Sequence, residues 1–170
     1  MLKSHKDLKI KIFADGANIN EMKKVYGEGI VSGFTTNPTL MKKDGVTDYV
    51  SFAKDVLTVI TDMPISFEVF SDDFESMEKQ ARLIGSWGEN VYIKIPVTNT
   101  KGENSLKLIE RLTGDGLKLN VTAILTVEQV ENVMKAISKD TKTIISVFAG
   151  RIADTGRDPI PYMKKSLELV

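Results

Sequence analysis

Short runs of apolar and β-branched residues alternate along the chain with longer segments in which apolar positions recur at helical spacing. In one of these segments apolar residues are three or four positions apart, which predicts an amphipathic helix with one buried stripe, at Phe74, Met77, Ala81 and Ile84. The same spacing predicts a second helix through Val130, Val133, Met134 and Ile137. Strands are predicted at residues 10–14, 33–36, 65–70, 91–95, 119–124 and 143–148. This is the pattern of successive βα units.

Capping residues and glycines indicate where these helices begin and end. Thr126 followed by Gln129 predicts a capping box at the start of the second helix, and Asp72 and Asp73 favour the start of the first. Glycines stand where helices should end before the next strand, at positions 85, 88, 114 and 116. The local signals therefore agree with the alternation of strands and helices.

Alternating strands and helices predict a parallel sheet that is either open or closed into a barrel. The residues after the first strand, DGANIN at 15–20, match neither a dinucleotide-binding loop nor a P-loop, which favours the barrel. A complete (β/α)8 barrel takes about 250 residues. We therefore expect a single α/β domain over residues 1–170 that holds only the first six βα units of such a barrel, with a mobile leader at residues 1–8 and two further units missing from this chain.

The composition narrows the classes of partner and chemistry. With 23 basic and 23 acidic residues and a net charge of +0, the chain offers no positive face for nucleic acid or a membrane surface. Neither a signal peptide nor a membrane-spanning run is recognisable. Cysteine is absent and the one histidine, His5, stands in the polar leader, which disfavours disulfides, thiol nucleophiles and a metal site. We expect a cytoplasmic protein without a metal ion.

Polar side chains near the carboxyl ends of the strands form the active site in barrels of parallel strands. Each predicted strand has one polar or ionisable residue at or near that end: Asp15, Asn37, Glu68, Lys94, Thr122 and Ser146. Taken singly, each has an ordinary explanation as a turn, capping or strand residue. Together they predict one site.

Lys94 stands between Ile93 and Ile95 in an apolar run. Such a lysine either extends its stem to the surface or is desolvated inside the barrel. Desolvation disfavours the ammonium form and leaves a fraction of free amine, which can attack a ketone carbonyl. Lys94 is therefore the candidate Schiff-base nucleophile, and a surface lysine is the alternative.

Four segments in collinear order resemble those of the transaldolase family, which includes small single-domain transaldolases and fructose-6-phosphate aldolases. They are TTNPT at 35–39, VYIKIP at 91–96, LNVT at 119–122 and SVFAGRI at 146–152. The resemblance implies a cofactor-free class I enzyme that transfers a dihydroxyacetone unit between sugar phosphates in the non-oxidative pentose phosphate pathway. It also implies a homo-oligomer.

The resemblance implies a role for each matching residue. Lys94 would form the imine, Asp15 would exchange a proton with the C4 hydroxyl, and Glu68 with Thr122 would position a water and move protons as the imine forms. Substrate contacts are implied for Asn37, Thr36, Ser146, Phe148 and Arg151. Arg151 would contact a phosphate, and its alternative role is a local ion pair with Asp154.

Two positions bear on the reaction within the family. Fructose-6-phosphate aldolases tend to have glutamine where this chain has Glu68 and tyrosine where it has Phe148, so transfer is favoured over simple aldol cleavage. Such an aldolase remains an alternative, as does a non-catalytic or truncated barrel that binds sugar phosphates. A deoxyribose-phosphate aldolase is a minor alternative, because no second lysine, Lys142 included, lies within the fifth or sixth predicted strand.

Overall fold

Strands and helices alternate throughout residues 8–170, which are the residues that the computed structural model describes. The strands are β1 (Phe13–Asp15), β2 (Gly33–Thr35), β3 (Ile65–Glu68), β4 (Val91–Pro96), β5 (Leu119–Ile124) and β6 (Thr143–Val147). The helices are α1 (Ile19–Glu28), α2 (Pro38–Lys43), α3 (Tyr49–Val59), α4 (Phe74–Gly85), α5 (Leu106–Gly114), α6 (Val127–Ala136), α7 (Ala149–Asp154) and α8 (Ile160–Leu169). The predicted leader lies outside the described residues except for Leu8, and so does His5.

The described residues divide into two compact units. The first extends to Glu68 and includes Ser86–Val91. In it β1 pairs with β2 and β2 with β3, both in parallel. Its core comes mainly from β2, β3 and α3, through Phe34, Phe52, Ala53, Val56, Ile65 and Phe67. Burial of each large apolar side chain stabilises a fold by about 1.5–3 kcal/mol.

Gly33 begins β2 at a point where no side chain fits. A Cβ atom there would lie 2.7 Å from the Pro64 carbonyl oxygen and 2.4 Å from the Phe13 ring. The Phe34 N–H donates to that same Pro64 oxygen at 2.8 Å. The glycine therefore allows the close approach that starts the β2–β3 ladder.

The second unit consists of Val69–Gly85 and Tyr92–Val170. In it β4 pairs with β5 and β5 with β6, both in parallel. Strand β5 is buried along nearly its whole length, and β6 is half-buried throughout. Helices α4, α5 and α6 bury one stripe each, formed by Met77, Ala81, Ile84, Leu108, Ile109, Leu112, Val130 and Val133.

The helix starts follow the sequence signals with one exception. Thr126 and Gln129 form the predicted capping box of α6. At α4 the Asp73 carboxylate accepts the Ser76 N–H at 2.8 Å, which is the expected capping contact. The carboxylate of Asp72 instead accepts both the N–H and the hydroxyl of Thr100, at 2.8 and 2.7 Å. Asp72 therefore holds the loop after β4.

Strands β2 and β6 end one residue before their predicted ends, and β1 and β3 are two residues shorter than predicted. Strand β1 begins at Phe13, because its ladder with β2 starts there, and Ile10 is 69% exposed. Strand β3 ends at Glu68, because the Phe70 and Ser71 N–H groups both donate to Gln80 Oε1, at 2.8 and 3.0 Å. From Leu8 onward the structure has no helix that is long and apolar enough to cross a membrane.

Candidate active site

The first unit brings Asp15, Thr35 and Asn37 into one cluster. Asp15 is the last residue of β1 and pairs with Thr35 of β2. The Thr35 hydroxyl donates to Asp15 Oδ1 at 2.8 Å, and Asn37 Nδ2 donates to Oδ2 at 3.1 Å. Both carboxylate oxygens are therefore held, which suits a group that must meet a substrate hydroxyl in one orientation.

The local sequence explains the position of Asn37. Pro38 restricts the residue before it to extended backbone, and Asn37 has φ −151° and ψ 157°. Proline also fits the first turn of a helix, so α2 begins at Pro38 with Asn37 as its N-cap. The Asn37 Oδ1 atom accepts the Leu40 N–H at 2.9 Å. One amide thus caps α2 with its oxygen and contacts Asp15 with its nitrogen.

Adjacent threonines at the end of β2 have different surroundings. Thr36, which the sequence predicts as a substrate contact, is completely buried, and its hydroxyl donates to the Ser66 carbonyl at 3.0 Å. The substrate role of Thr36 stays a prediction. The contact that sequence reasoning missed is Thr35, whose only sequence signal is its place in the same TTNPT segment.

Glu68 is the last residue of β3 and is half-buried. Its backbone carbonyl accepts a hydrogen bond from the Tyr49 hydroxyl at 3.0 Å. Burial raises the pKa of Tyr49 far above its ordinary value, and the nearby Glu68 charge adds to this rise. The phenol therefore remains a protonated donor at neutral pH.

In the second unit Lys94 lies on β4, beside Asn120 of β5. Lys94 is only 9% exposed, which is less than expected for a lysine whose side chain extends to the surface. Register partners in parallel strands point to the same face, so Lys94 and Asn120 share one face of the β4–β5 ladder. Ile93 and Ile95 point to the opposite face and are buried.

Thr122 lies on the face of β5 that also carries Asn120. It is 2% exposed, and its hydroxyl has no hydrogen-bond partner within the described part of the chain. Such a group is costly in a fold and is typical of a site that binds a polar ligand. The next residue, Ala123, has φ 60°, where the β5–β6 register shifts. Strained backbone of this kind is concentrated at functional sites.

The predicted residues at the end of β6 are more exposed. Ser146 is half-buried, and Phe148 is 36% exposed with its N–H donating to the Ile124 carbonyl at 2.8 Å. Phe148, Arg151 and Asp154 line an open cavity of about 510 Å³. Arg151 Nη1 contacts Asp154 Oδ2 at 3.3 Å, which is the local ion pair considered as its alternative. The remaining guanidinium N–H groups are additional donors for an anion.

Within residues 8–170 no group of three or more His, Asp or Glu side chains could hold a metal ion. The geometry instead gives two polar clusters. One consists of Asp15, Thr35 and Asn37 in the first unit, and the other of Lys94, Asn120 and Thr122 in the second. The structure leaves the predicted catalytic and substrate roles of all these residues as predictions.

Known proteins resemble the chain in fold and in sequence. The crystal structure of dihydrodipicolinate synthase from Rhodopseudomonas palustris matches with a TM-score of 0.56 at 14% identity, over 92% of this chain and 59% of that one. This likeness concerns the fold alone. With the element order and the parallel ladders, it confirms the predicted fold class, six βα units of a (β/α)8 barrel.

Curated relatives with the name "Probable transaldolase" or "Probable transaldolase 2" match most of the chain. One from Dehalococcoides mccartyi is 38% identical over 149 residues, which are 88% of this chain and 65% of the relative. One from Listeria monocytogenes is 38% identical over 155 residues, which are 91% of this chain and 66% of the relative. The chain thus spans slightly less than two thirds of their length. The family model for transaldolase/fructose-6-phosphate aldolase matches residues 12–170, so the chain belongs to the transaldolase/fructose-6-phosphate aldolase family.

Proposed function

We propose that this protein is a class I transaldolase that transfers a dihydroxyacetone unit between sugar phosphates through an imine on Lys94. The observation that carries the proposal is the burial of Lys94 on β4 beside the polar face of β5, in a chain of this family. A lysine amine forms Schiff bases with carbonyl substrates, and its position on a buried strand holds it in one place.

The reaction begins when Lys94 Nζ attacks the C2 carbonyl of a ketose phosphate. The carbinolamine then loses water and becomes an iminium ion, for which a group must protonate the departing hydroxyl. Glu68 and Thr122 are assigned to this proton transfer. The buried hydroxyl of Thr122 supports the assignment, because it has the capacity to bind such a water.

Cleavage of the bond between C3 and C4 follows. Asp15 takes the proton of the C4 hydroxyl, an aldose phosphate leaves, and the electron pair moves into the iminium to give an enamine on Lys94. The enamine then adds to the carbonyl of an acceptor aldose phosphate, and Asp15 returns the proton. Water hydrolyses the resulting iminium, which releases the new ketose phosphate and frees the Lys94 amine. The two hydrogen bonds that hold the Asp15 carboxylate support this role.

Substrate contacts are assigned to the remaining polar groups. Asn37 and Ser146 would bind hydroxyls of the three-carbon unit, Phe148 would border it, and Arg151 would bind the phosphate. The cavity at the end of β6 supports the assignments to Phe148 and Arg151, which both line it. The reaction requires neither a cofactor nor a metal ion, and we place it in the cytoplasm, carried out by a homo-oligomer without a nucleic-acid or membrane partner.

A fructose-6-phosphate aldolase is the second candidate function, because it would use the same imine. Glu68 and Phe148 favour transfer, since the aldolases of the family tend to have glutamine and tyrosine at these positions. Product analysis with and without an aldose phosphate acceptor separates the two activities. Release of free dihydroxyacetone at the same rate without acceptor would favour the aldolase.

Reductive trapping tests the covalent mechanism itself. The protein is incubated with fructose 6-phosphate and borohydride, and its peptides are mapped by mass spectrometry. We expect the mass of a reduced dihydroxyacetone adduct on Lys94 and none in Lys94→Arg, which keeps the positive charge but has no suitable amine. Lys107→Arg, on the exposed side of α5, is the matched control and should label like the parent. An unlabelled Lys94 in the parent would favour a non-catalytic sugar-phosphate-binding barrel.

A further inference from the structure

Tyr49 is the first residue of α3, and both its backbone and its ring are fixed by the first unit. The preceding residue, Asp48, caps the helix by accepting the N–H and the hydroxyl of Ser51 at 3.0 and 2.8 Å. The Tyr49 ring packs edge-on against Phe67 and Trp87, with centroid distances of 6.1 and 5.5 Å. The direction of its hydroxyl is therefore set by packing.

The Tyr49 hydroxyl reaches the carboxyl end of β3, beside the end of β2. At the carboxyl ends of β2 and β3 the Thr36 N–H donates to the Ser66 carbonyl at 3.1 Å. The Glu68 carbonyl lies two residues further on, and the phenol donates to it at 3.0 Å. The side chain thus holds the backbone at the last residue of β3.

We infer that Tyr49 is a positioning residue, whose hydroxyl holds the end of β3 so that the Glu68 carboxylate is directed for proton transfer during formation of the imine. This inference rests on the proposed function, in which Glu68 has that role. Tyr49 does not touch the substrate, and it acts on the reaction only through Glu68. Because burial raises the pKa of Tyr49, the hydroxyl donates at every pH at which the enzyme is expected to work.

Tyr49→Phe removes the hydroxyl but keeps the ring, so the edge-on contacts with Phe67 and Trp87 remain. We expect the rate at which the Lys94 imine becomes trappable by borohydride to fall about tenfold, because a misdirected catalytic group costs rate even after small displacements. The KM for fructose 6-phosphate should stay unchanged. In the Glu68→Gln background the same substitution should have no further effect, because the group through which it acts is already removed.

Two further variants test whether the effect is only one of stability. Tyr26→Phe removes a phenol that donates to Asp62 Oδ1 at 2.7 Å, between α1 and the residues before β3. It should leave the imine rate at the parent value. Trp87→Phe weakens the aromatic packing but keeps the Tyr49 hydroxyl, so it should lower the melting temperature with a much smaller loss of rate than Tyr49→Phe.

The outcomes separate this inference from the proposed function. A parental rate in Tyr49→Phe would overturn the inference while the adduct on Lys94 still supported the function. An equal loss of rate in Trp87→Phe at the same loss of melting temperature, or a further loss in the Glu68→Gln background, would also overturn it. A parent protein that gains no adduct refutes the proposed function directly, and the inference with it.

Discussion

The buried Thr122 hydroxyl suits the proposed function but lowers the stability of the fold. A buried hydroxyl without a hydrogen-bond partner is destabilising, and an apolar group of the same shape removes that cost. We expect Thr122→Val to leave the free energy of unfolding unchanged or to raise it by up to about 1 kcal/mol. The same substitution should slow formation of the Lys94 imine, as measured by borohydride trapping.

Thr113→Val is the matched control for this prediction, because Thr113 is also a buried threonine. Its hydroxyl donates to the Ile109 carbonyl at 2.8 Å and accepts the Ser138 N–H at 3.0 Å. Removal of these two bonds should cost about 1–3 kcal/mol of unfolding free energy, measured by urea denaturation. If Thr122→Val were destabilised as much as Thr113→Val, Thr122 would be a structural residue.

At the residue scale, the sequence identified Lys94 because a charged group in an apolar run is visible without coordinates. It did not separate Thr35 from Thr36, because the two side chains alternate in direction and the phase of β2 depends on the hydrogen bond from Phe34 to Pro64. Tyr49 was missed for a different reason. Its contact with Glu68 joins positions 19 residues apart, and neither hydrophobic periodicity nor a motif reports such a contact.

At the scale of elements, α4 and α5 are joined by a charge network around Glu78. Its carboxylate accepts hydrogen bonds from Arg82 and Arg111, each at 2.7 Å, and Arg82 also contacts Asp115 at 2.8 Å. The hydrogen bonds from Arg82, followed by those from Arg111, hold the pKa of Glu78 below its ordinary value. The folded protein therefore binds this proton less readily than the unfolded chain does.

The lowered pKa of Glu78 predicts a pH-dependent stability. Its contribution is complete above the ordinary value of 4.5 and is lost as the pH falls through the lower value of the folded state. We expect Glu78→Gln to melt about 2 °C below the parent at neutral pH, with a difference that shrinks as the solution is acidified below that point. Thermal unfolding followed by circular dichroism over a series of pH values measures this difference.

Glu75→Gln is the control for the network. Glu75 pairs with Lys79 on the same helix at 2.7 Å, but both side chains are largely exposed, so the substitution should have no measurable effect at any pH. A Glu78→Gln protein that melts below the parent by the same amount at acidic and at neutral pH would contradict the electrostatic explanation. The loss would then come from packing of the side chain.

The boundaries of the elements were less predictable than their order. Next to the observed strands, Ile10, Ile12, Val69 and Phe70 have apolar side chains like those of the strands, so the composition predicts strand there. Whether a residue is in a strand depends on its backbone partners, and Gln80 supplies the partner for Phe70 from a helix. Asp72 differs from Asp73 for a similar reason, since Thr100 is distant in sequence.

At the scale of the whole chain, the fold class followed from the sequence because each βα unit repeats the same local signals. Alternation of strands and helices, the capping box of α6 and the glycines at the helix ends all favour one architecture. The surroundings of Lys94 could not be predicted from these local signals. The face that it shares with Asn120 depends on the register of β4 against β5, which no local signal sets.

Helix α8 is the basis of the last prediction, which concerns the proposed homo-oligomer. It packs on α6, with Ser166 buried and Tyr162 half-buried. Ile160, Met163 and Leu167, at spacings of three and four, form a second stripe that is exposed to solvent, and Leu167 is 75% exposed. An exposed apolar stripe of this kind is typical of a surface that associates with another chain.

We therefore expect sedimentation velocity to show self-association that increases with protein concentration. Replacement of Ile160 and Leu167 together by lysine should shift the protein toward the monomer, because charge on the stripe opposes its burial. Leu83→Lys is the control, since Leu83 is an exposed leucine on α4 and lies outside the stripe. An unchanged sedimentation coefficient in the double variant would show that the subunits associate through another surface, and a parent that remains monomeric at all concentrations would exclude self-association of this chain.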